Sequence, residues 1–587
     1  MKNLRTYLWI GLALILFVNY QTWNQEFGPR DAAAAQKKLA AEQAAQPLAA
    51  NVPQVGNAPE AAATAAPAPA SDGAVPTVQA PAGTASPAAA ATSASPAPAA
   101  AVLNVRTDVL DVDVSLQGGE LVRADLLQYR IVKGGTEPVH LLRNLGPGNQ
   151  YRLQTGLAGA GNAAPAAYPT HLATFTSDAD AVRLADSADE LRVPLKWTSP
   201  EGVAVTKTLV FRRGAYRIDV EYAVTNGSAA AWSVAPYAQI LHDIPPVERS
   251  FSNYFNFDSY SFTGPAYWNG RKYEKVKLKT GDMDEFNREY RDGWKDGWIV
   301  SLQHHFVTAI VPDPAEQNVY SLSLRGTQYS AVDVGPTQSI APGTSATIRQ
   351  TLFVGPKLQH QMEKIHPQLD RAVDYGVFTM LARPLFWLLE QVHRIFGNWG
   401  WAIIVVTFLL KLVMYPLSEI SGRSSAKMKL MAPKMKALQE QYKDDRTKLG
   451  QATMELYKKE KINPATGCLP MLIQIPVFMA FYWVLVESVE MRQAPFMLWL
   501  QDLSSRDPFF ILPVIMAGAM FLQYKLQPTS ADPVQAKVMM IMPLVLSVTF
   551  AFLPSGLVLY YVVNTVLTIL QQWNINRRIE AGSAARN

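Results

Sequence analysis

Lys411 lies inside an otherwise unbroken apolar stretch, Trp401 to Leu417. An ammonium near the middle of a bilayer costs about 2.5 to 3.5 kcal/mol on insertion scales, so such a residue faces protein or water rather than lipid. Two uses are open. The side chain could snorkel, because six residues of helix to Leu417 span roughly 9 Å and the long stem would carry the charge most of the way to an interface. Alternatively, it is a fixed positive charge in a polar site within the membrane. No other group competes with it. His242, Asp243 and Glu248 could line a sugar-binding or acid/base site, but nothing in their spacing singles them out. His304-His305 suggests a metal site until the pair is placed on a strand, where successive side chains point to opposite faces. Trp294, Trp298 and the aromatic-rich segment 251–262 read as core or loop packing. With no G-x-x-x-x-G-K-[ST] motif there is no P-loop, and the single Cys468 rules out an intramolecular disulfide framework or a C-x-x-C site. The expectation is a chain that is not an enzyme, with no metal and no cofactor.

The elements that would position Lys411 follow from patterning. At 587 residues the chain is too long for one domain, and its net charge of +5 is no nucleic-acid signature, because the basic residues cluster beside apolar segments. No DNA partner is expected. Residues 1–24 carry Lys2 and Arg5 before an apolar run and read as an uncleaved membrane anchor with a cytoplasmic N-terminus. Residues 25–101, rich in alanine and proline, read as a disordered linker. From 102 to 356 the pattern has period two. Val112, Val114 and Leu116 alternate with polar residues, as do Ile218, Val220, Tyr222 and Val224, and Gly118-Gly119 and Asn226-Gly227 supply turn signals. A large antiparallel sandwich-like domain is expected there.

After residue 356 the period becomes helical. Residues 357–398 form a connector whose Phe378, Leu381, Leu385, Leu388, Leu389, Val392 and Ile395 make an interfacial amphipathic helix. Five spans are expected at 399–417, 466–487, 508–526, 538–553 and 556–575, separated by segments 418–465, 488–507 and 527–537 and followed by a tail at 576–587. Several are short, implying local thinning or tilt. Segment 418–465 is strongly basic whereas 488–507 holds only Arg492 and Arg506, so the first belongs in the cytoplasm and the second outside, giving a multi-pass chain with both termini inside. Met428, Met431 and Met435, with Lys434 and Lys436, mark a two-helix hairpin in the basic segment. Its methionines suit either an adaptable contact surface or an ordinary hairpin seam, and its charges suit anionic lipid or ribosomal RNA.

The runs Gly397-Asn-Trp-Gly400, Met414-Tyr415-Pro416-Leu417, Asn463-Pro464 with Gly467-Cys468, Gln474-Ile475-Pro476, Val489 to Phe496, Asp502-Leu503-Ser504 with Asp507-Pro508, and Pro554 to Tyr561 together resemble the YidC/Oxa/Alb family of membrane protein insertases. The anchor, linker and large outer domain resemble its Gram-negative branch. The resemblance implies a multi-domain protein of the bacterial inner membrane: an α-helical polytopic bundle, made of a five-helix insertase core plus the anchor, with a periplasmic β-supersandwich. It implies a hydrophilic groove open to the cytoplasm and to lipid, in which Lys411 stands where arginine is usual. Thr407, Gln474, Tyr560, Tyr561 and Asn564 would line the groove or its boundary. Implied partners are nascent membrane proteins, the SecYEG translocon, SecDF, translating ribosomes and membrane lipids. Two other readings stay open, a membrane-anchored periplasmic carbohydrate-binding or carbohydrate-modifying protein and a small-anion transporter. The lack of an obvious inverted repeat stands against transport.

Overall fold

The computed structural model describes residues 54–55, 77–78, 101–146, 148–159, 167–244, 261–442, 445–460, 464–526 and 533–584. The expected anchor at 1–24, nearly all of the linker, Glu248 and residues 251–260 lie outside the described residues. The chain divides into two compact units between Val373 and Asp374.

The first unit is built mainly from two large sheets, preceded in sequence by a short parallel pair of Gln54–Val55 and Thr77–Val78. One has eight strands and the other ten, with antiparallel neighbours almost throughout. Val203–Arg212, Arg217–Asn226 and Ser345–Pro356 lie side by side in the eight-stranded sheet, with Lys207 opposite Tyr222 and Tyr222 opposite Ile348. Alternation puts Val203, Val205, Lys207 and Leu209 on the buried face. An inward lysine needs acceptors. Lys207 Nζ finds three, donating to the carbonyls of Gly118 at 2.8 Å, Gly119 at 2.9 Å and Thr155 at 2.9 Å, all on the ten-stranded sheet. The two sheets are thereby clasped. Gly118 and Gly119 can turn there because both adopt positive φ, and the hairpin from Leu110–Ser115 to Glu120–Arg130 closes as the glycine pair predicts.

Asn226-Gly227 is not a hairpin turn. The strand after it, Trp232–Asp243, belongs to the other sheet, so the chain crosses from one layer to the other. The buried Asn226 side chain directs the crossing, donating to Ile340 O and Ala230 O and accepting from Ser228 N. His304 and His305 also depart from expectation. They sit in the bend between Gly297–Leu302 and Phe306–Val311, not on a strand, and their rings stack at 3.8 Å instead of facing apart. Among the described residues no cluster suits a metal ion. Trp294 stacks on Tyr320 at 4.0 Å and Trp298 is fully buried, which makes these aromatics core.

The second unit is helical: Thr379–Phe396, Trp399–Val413, Tyr415–Leu430, Ala432–Gln441, Arg446–Lys459, Pro464–Glu487, Ile511–Leu526, Pro533–Phe550 and Ser555–Ala584. Ser555–Ala584 is its hub, packing on Ile511–Leu526, Trp399–Val413 and Tyr415–Leu430. The apolar run 399–417, expected as one span, is two helices meeting at 65° around Met414. Pro416 explains the break, because its ring disfavours helical backbone at Tyr415 and removes one N–H, a loss tolerated only in the first turn of a new helix. Among the described residues no single helix is long and apolar enough to cross a membrane, although this bent pair satisfies the length and composition together. Outer faces are nonetheless apolar, with Leu412, Val413, Val514, Leu544, Val545 and Val548 exposed. In the hairpin Met431 and Met435 are buried, Met428 is half-buried, and exposed Lys434 pairs with Glu460 at 2.7 Å. The Lys436 side chain lies outside the described residues.

In the first unit, His242 is buried, stacked on Tyr151 at 3.8 Å, with Nδ1 within 3.0 Å of Ser301 Oγ. Burial pushes its pKa down from 6.5 to about 3. Between those values the unfolded chain binds a proton that the folded chain refuses, so stability falls as pH drops through 6.5. The expected contribution is up to about 1.4 kcal/mol per pH unit. Denaturant unfolding of the first unit between pH 7 and pH 4 should show a weaker acid loss in His242→Gln than in the parent chain.

Candidate functional site

The family-like motifs at residues 397–400, 489–496, 502–508 and the start of 554–561 converge on one end of the bundle. The Trp399–Val413 helix begins where the Asn398 side chain accepts from Gly400 N at 2.9 Å and Trp401 N at 3.2 Å. The same side chain donates to Pro495 O and Phe496 O, tying loop 488–510 to the helix start. Gly400 is needed there because a Cβ would stand 2.0 Å from the Phe496 ring. Asp502 organises the loop by accepting from Gln493 N, Ser504 N and Ser504 Oγ. Ser555 then donates its Oγ to Asp502 O and its N–H to Ser505 O, fixing the start of the hub helix. Asp507 accepts from Phe509 N at 3.0 Å and Leu512 N at 2.7 Å, capping a third helix. Gln493, Leu498 and Phe510 hold positive φ without being glycine, a strain that persists only where surrounding bonds overdetermine the backbone. One loop thus closes the N-termini of three helices.

Lys411 lies twelve residues along the helix from Trp399, roughly 18 Å from this closed end. It is half-buried, and Nζ donates to Thr568 Oγ1 at 2.9 Å. Thr568 passes its own proton to Asn564 O at 2.7 Å. Among the described residues no carboxylate lies within ion-pair distance of the ammonium. Thr407, one turn before Lys411 on the same face, is buried and spends its hydroxyl proton on Ile403 O at 2.6 Å.

Gln474 and Tyr560 meet each other, Nε2 donating to the phenol oxygen at 2.6 Å. Tyr560 is buried and stacks on Phe481 at 4.2 Å. Tyr561 is half-buried against Phe550 and Phe478. The structure therefore joins Lys411 to Asn564 through Thr568, and Gln474 to Tyr560, while Tyr561 belongs to an aromatic cluster.

Thr568 escaped sequence reasoning, as did Gln571, Gln572 and Asn576. Their signal is periodic. Counting every fourth residue from Tyr560 gives Asn564, Thr568, Gln572 and Asn576, a polar stripe along a helix that is largely apolar as far as Leu570. Gln572 Nε2 reaches Gly422 O at 3.4 Å and Asn576 Oδ1 at 2.8 Å, and Gln571 Nε2 reaches Tyr415 O at 3.5 Å. These bonds hold the helix beyond the Met414 break against the hub. The Asn576 Nδ2 atom is buried and has no acceptor among the described residues. Within one helix, then, polar atoms run from an aromatic end at Tyr560 to the bend beside Tyr415.

Residues 391–582 match the family model described as 60Kd inner membrane protein, and residues 102–388 match the YidC periplasmic domain. The chain is 45% identical to the membrane protein insertase YidC of Thioalkalivibrio sulfidiphilus, covering 99% of each chain. Against the protein of the same name from Pseudomonas fluorescens strain Pf-5 the identity is 41%, covering 99% of this chain and 98% of the other. A crystal structure of an active YidC insertase aligns over 81% of this chain and 92% of that one, at 19% identity and a TM-score of 0.37, too loose a superposition to transfer geometry.

Two glycines in this unit should respond oppositely to a methyl group. Gly400→Ala drives a Cβ into Phe496 and is expected to destabilise by about 1 to 3 kcal/mol, whereas a Cβ at Gly450 meets nothing within 4 Å, so Gly450→Ala should stabilise by about 0.5 to 1 kcal/mol. Thermal unfolding of the purified variants reads both signs.

Proposed function

The chain belongs to the YidC family of membrane protein insertases, and from that premise we propose that Lys411 and the polar stripe of the hub helix form a hydrophilic groove through which polar segments of new membrane proteins begin to cross the inner membrane. The observation that carries the reading is the Lys411 ammonium, held 2.9 Å from Thr568 Oγ1 with no carboxylate partner among the described residues. An ammonium has three N–H donors, and the hydroxyl takes one. The other two are available to a carboxylate or to backbone carbonyls of an incoming chain.

Transfer of a polar segment is slow because water must be stripped from it, and a groove that brings water and a positive charge part-way across shortens the dehydrated path. No bond is made or broken. An acidic residue of the client pauses at Lys411, and a potential positive outside then draws it outward by about 2.3 kcal/mol per charge per 100 mV. The client's apolar helix moves into lipid along Pro464–Glu487 and Pro533–Phe550, gaining roughly 25 cal/mol per Å² of apolar surface removed from water. Loop 488–510, stitched across three helix starts, closes the periplasmic end and keeps the groove from becoming a pore. In this reading the apolar outer faces meet lipid, residues 1–24 anchor the chain, and both termini are cytoplasmic. The basic hairpin would meet ribosomal RNA or anionic lipid, and the SecYEG translocon and SecDF are expected neighbours.

Depletion of the native protein followed by complementation tests the charge. Lys411→Ala and Lys411→Glu should impair insertion of clients with acidic translocated tails about tenfold or more, and Lys411→Arg should be tolerated. Full rescue by the glutamate form would remove the charge from the mechanism. Crosslinks from positions 407, 411 and 474 to a stalled nascent chain would locate the path directly.

A further inference from the structure

We infer that Thr568 is a positioning residue for Lys411, fixing the depth of its ammonium and thereby the preference for acidic over neutral client tails. The inference rests on the groove reading above and adds to it the residue that keeps the charge in place. A lysine stem has four rotatable bonds, and nothing on the Trp399–Val413 helix restrains it, because the neighbouring hydroxyl of Thr407 is turned towards Ile403 O. Left to itself the ammonium would snorkel towards the interface, past Leu412 and Val413, which are exposed on the same turn.

Thr568 prevents that from the opposing helix. Its proton is committed to Asn564 O, so the hydroxyl is oriented with a lone pair facing Lys411 Nζ. The hydroxyl is therefore an acceptor for the ammonium and cannot compete with it as a donor. Neutral and acceptor-only, Thr568 also leaves the charge uncancelled, which a carboxylate at the same position would not. Two N–H groups stay free for a client carboxylate, at a depth set by the hub helix and not by the stem.

The test reconstitutes the full chain into proteoliposomes and measures insertion of a paired client whose translocated tail carries either one aspartate or the matching asparagine. For the parent chain the acidic tail should be favoured. Thr568→Val keeps the shape and removes the acceptor, so the acidic-to-neutral ratio should fall about fivefold, and Thr568→Ser should restore it. Combining Thr568→Val with Lys411→Ala should give the ratio of Lys411→Ala alone, since the two residues act as one unit. Equal losses on both tails in Thr568→Val, or additive losses in the double variant, would mean a purely structural role and would overturn the inference. A silent Thr568→Val beside a defective Lys411→Ala would overturn it while leaving the groove reading intact. A Lys411→Ala chain that still prefers acidic tails would remove both.

Discussion

A polar atom removed from water has to be bonded to something, and the buried Lys207 and the half-buried Lys411 meet that demand in opposite ways. Lys207 places three N–H donors on three backbone carbonyls of the facing sheet. Its capacity is used up, and it works as a clasp between two layers. Lys411 has the same three donors and one hydroxyl acceptor from the chain. What is left over is chemistry that the protein does not consume. On the proposed reading, saturation separates a lysine that holds a fold from one that is available to a client.

In the proposed groove that difference matters because water would be kept at one end of the bundle and excluded at the other. The loop between Pro464–Glu487 and Ile511–Leu526 supplies the asymmetry. Asn398, Asp502 and Asp507 turn their side chains into acceptors for backbone N–H groups at helix starts or in the loop itself, and Ser555 donates its hydroxyl to the Asp502 carbonyl, so backbone groups that would otherwise demand water are satisfied by protein.

Much of the architecture was legible beforehand for simple reasons. Alternation at Val112 and Val114 and at Ile218 to Val224 reported buried strand faces directly, and the change to helical spacing after residue 356 located the second unit's helices. Other signals were ambiguous at the level of sequence. Asn226-Gly227 has turn chemistry, yet the asparagine serves a crossing between sheets, which depends on where the next strand pairs. His304-His305 lies in a bend instead of a strand, and only the loop conformation brings the rings face to face. Pro416 was visible within the apolar run, but its effect on the direction of the helix needed the partner bonds from Gln571 and Gln572 to become definite.

From the order of its residues alone came the presence of a charge in an apolar wall, the two kinds of secondary structure, and the loop motifs that mark the family, because each of these is local in the chain. Tertiary structure decided which atom meets that charge. Lys411 and Thr568 are separated by 157 positions and become neighbours only when the Trp399–Val413 and Ser555–Ala584 helices pack. The same packing decided what the periodic polar residues Tyr560, Asn564, Thr568, Gln572 and Asn576 meet. Periodicity tells which residues share a side of a helix; only the neighbouring helix determines what that side touches.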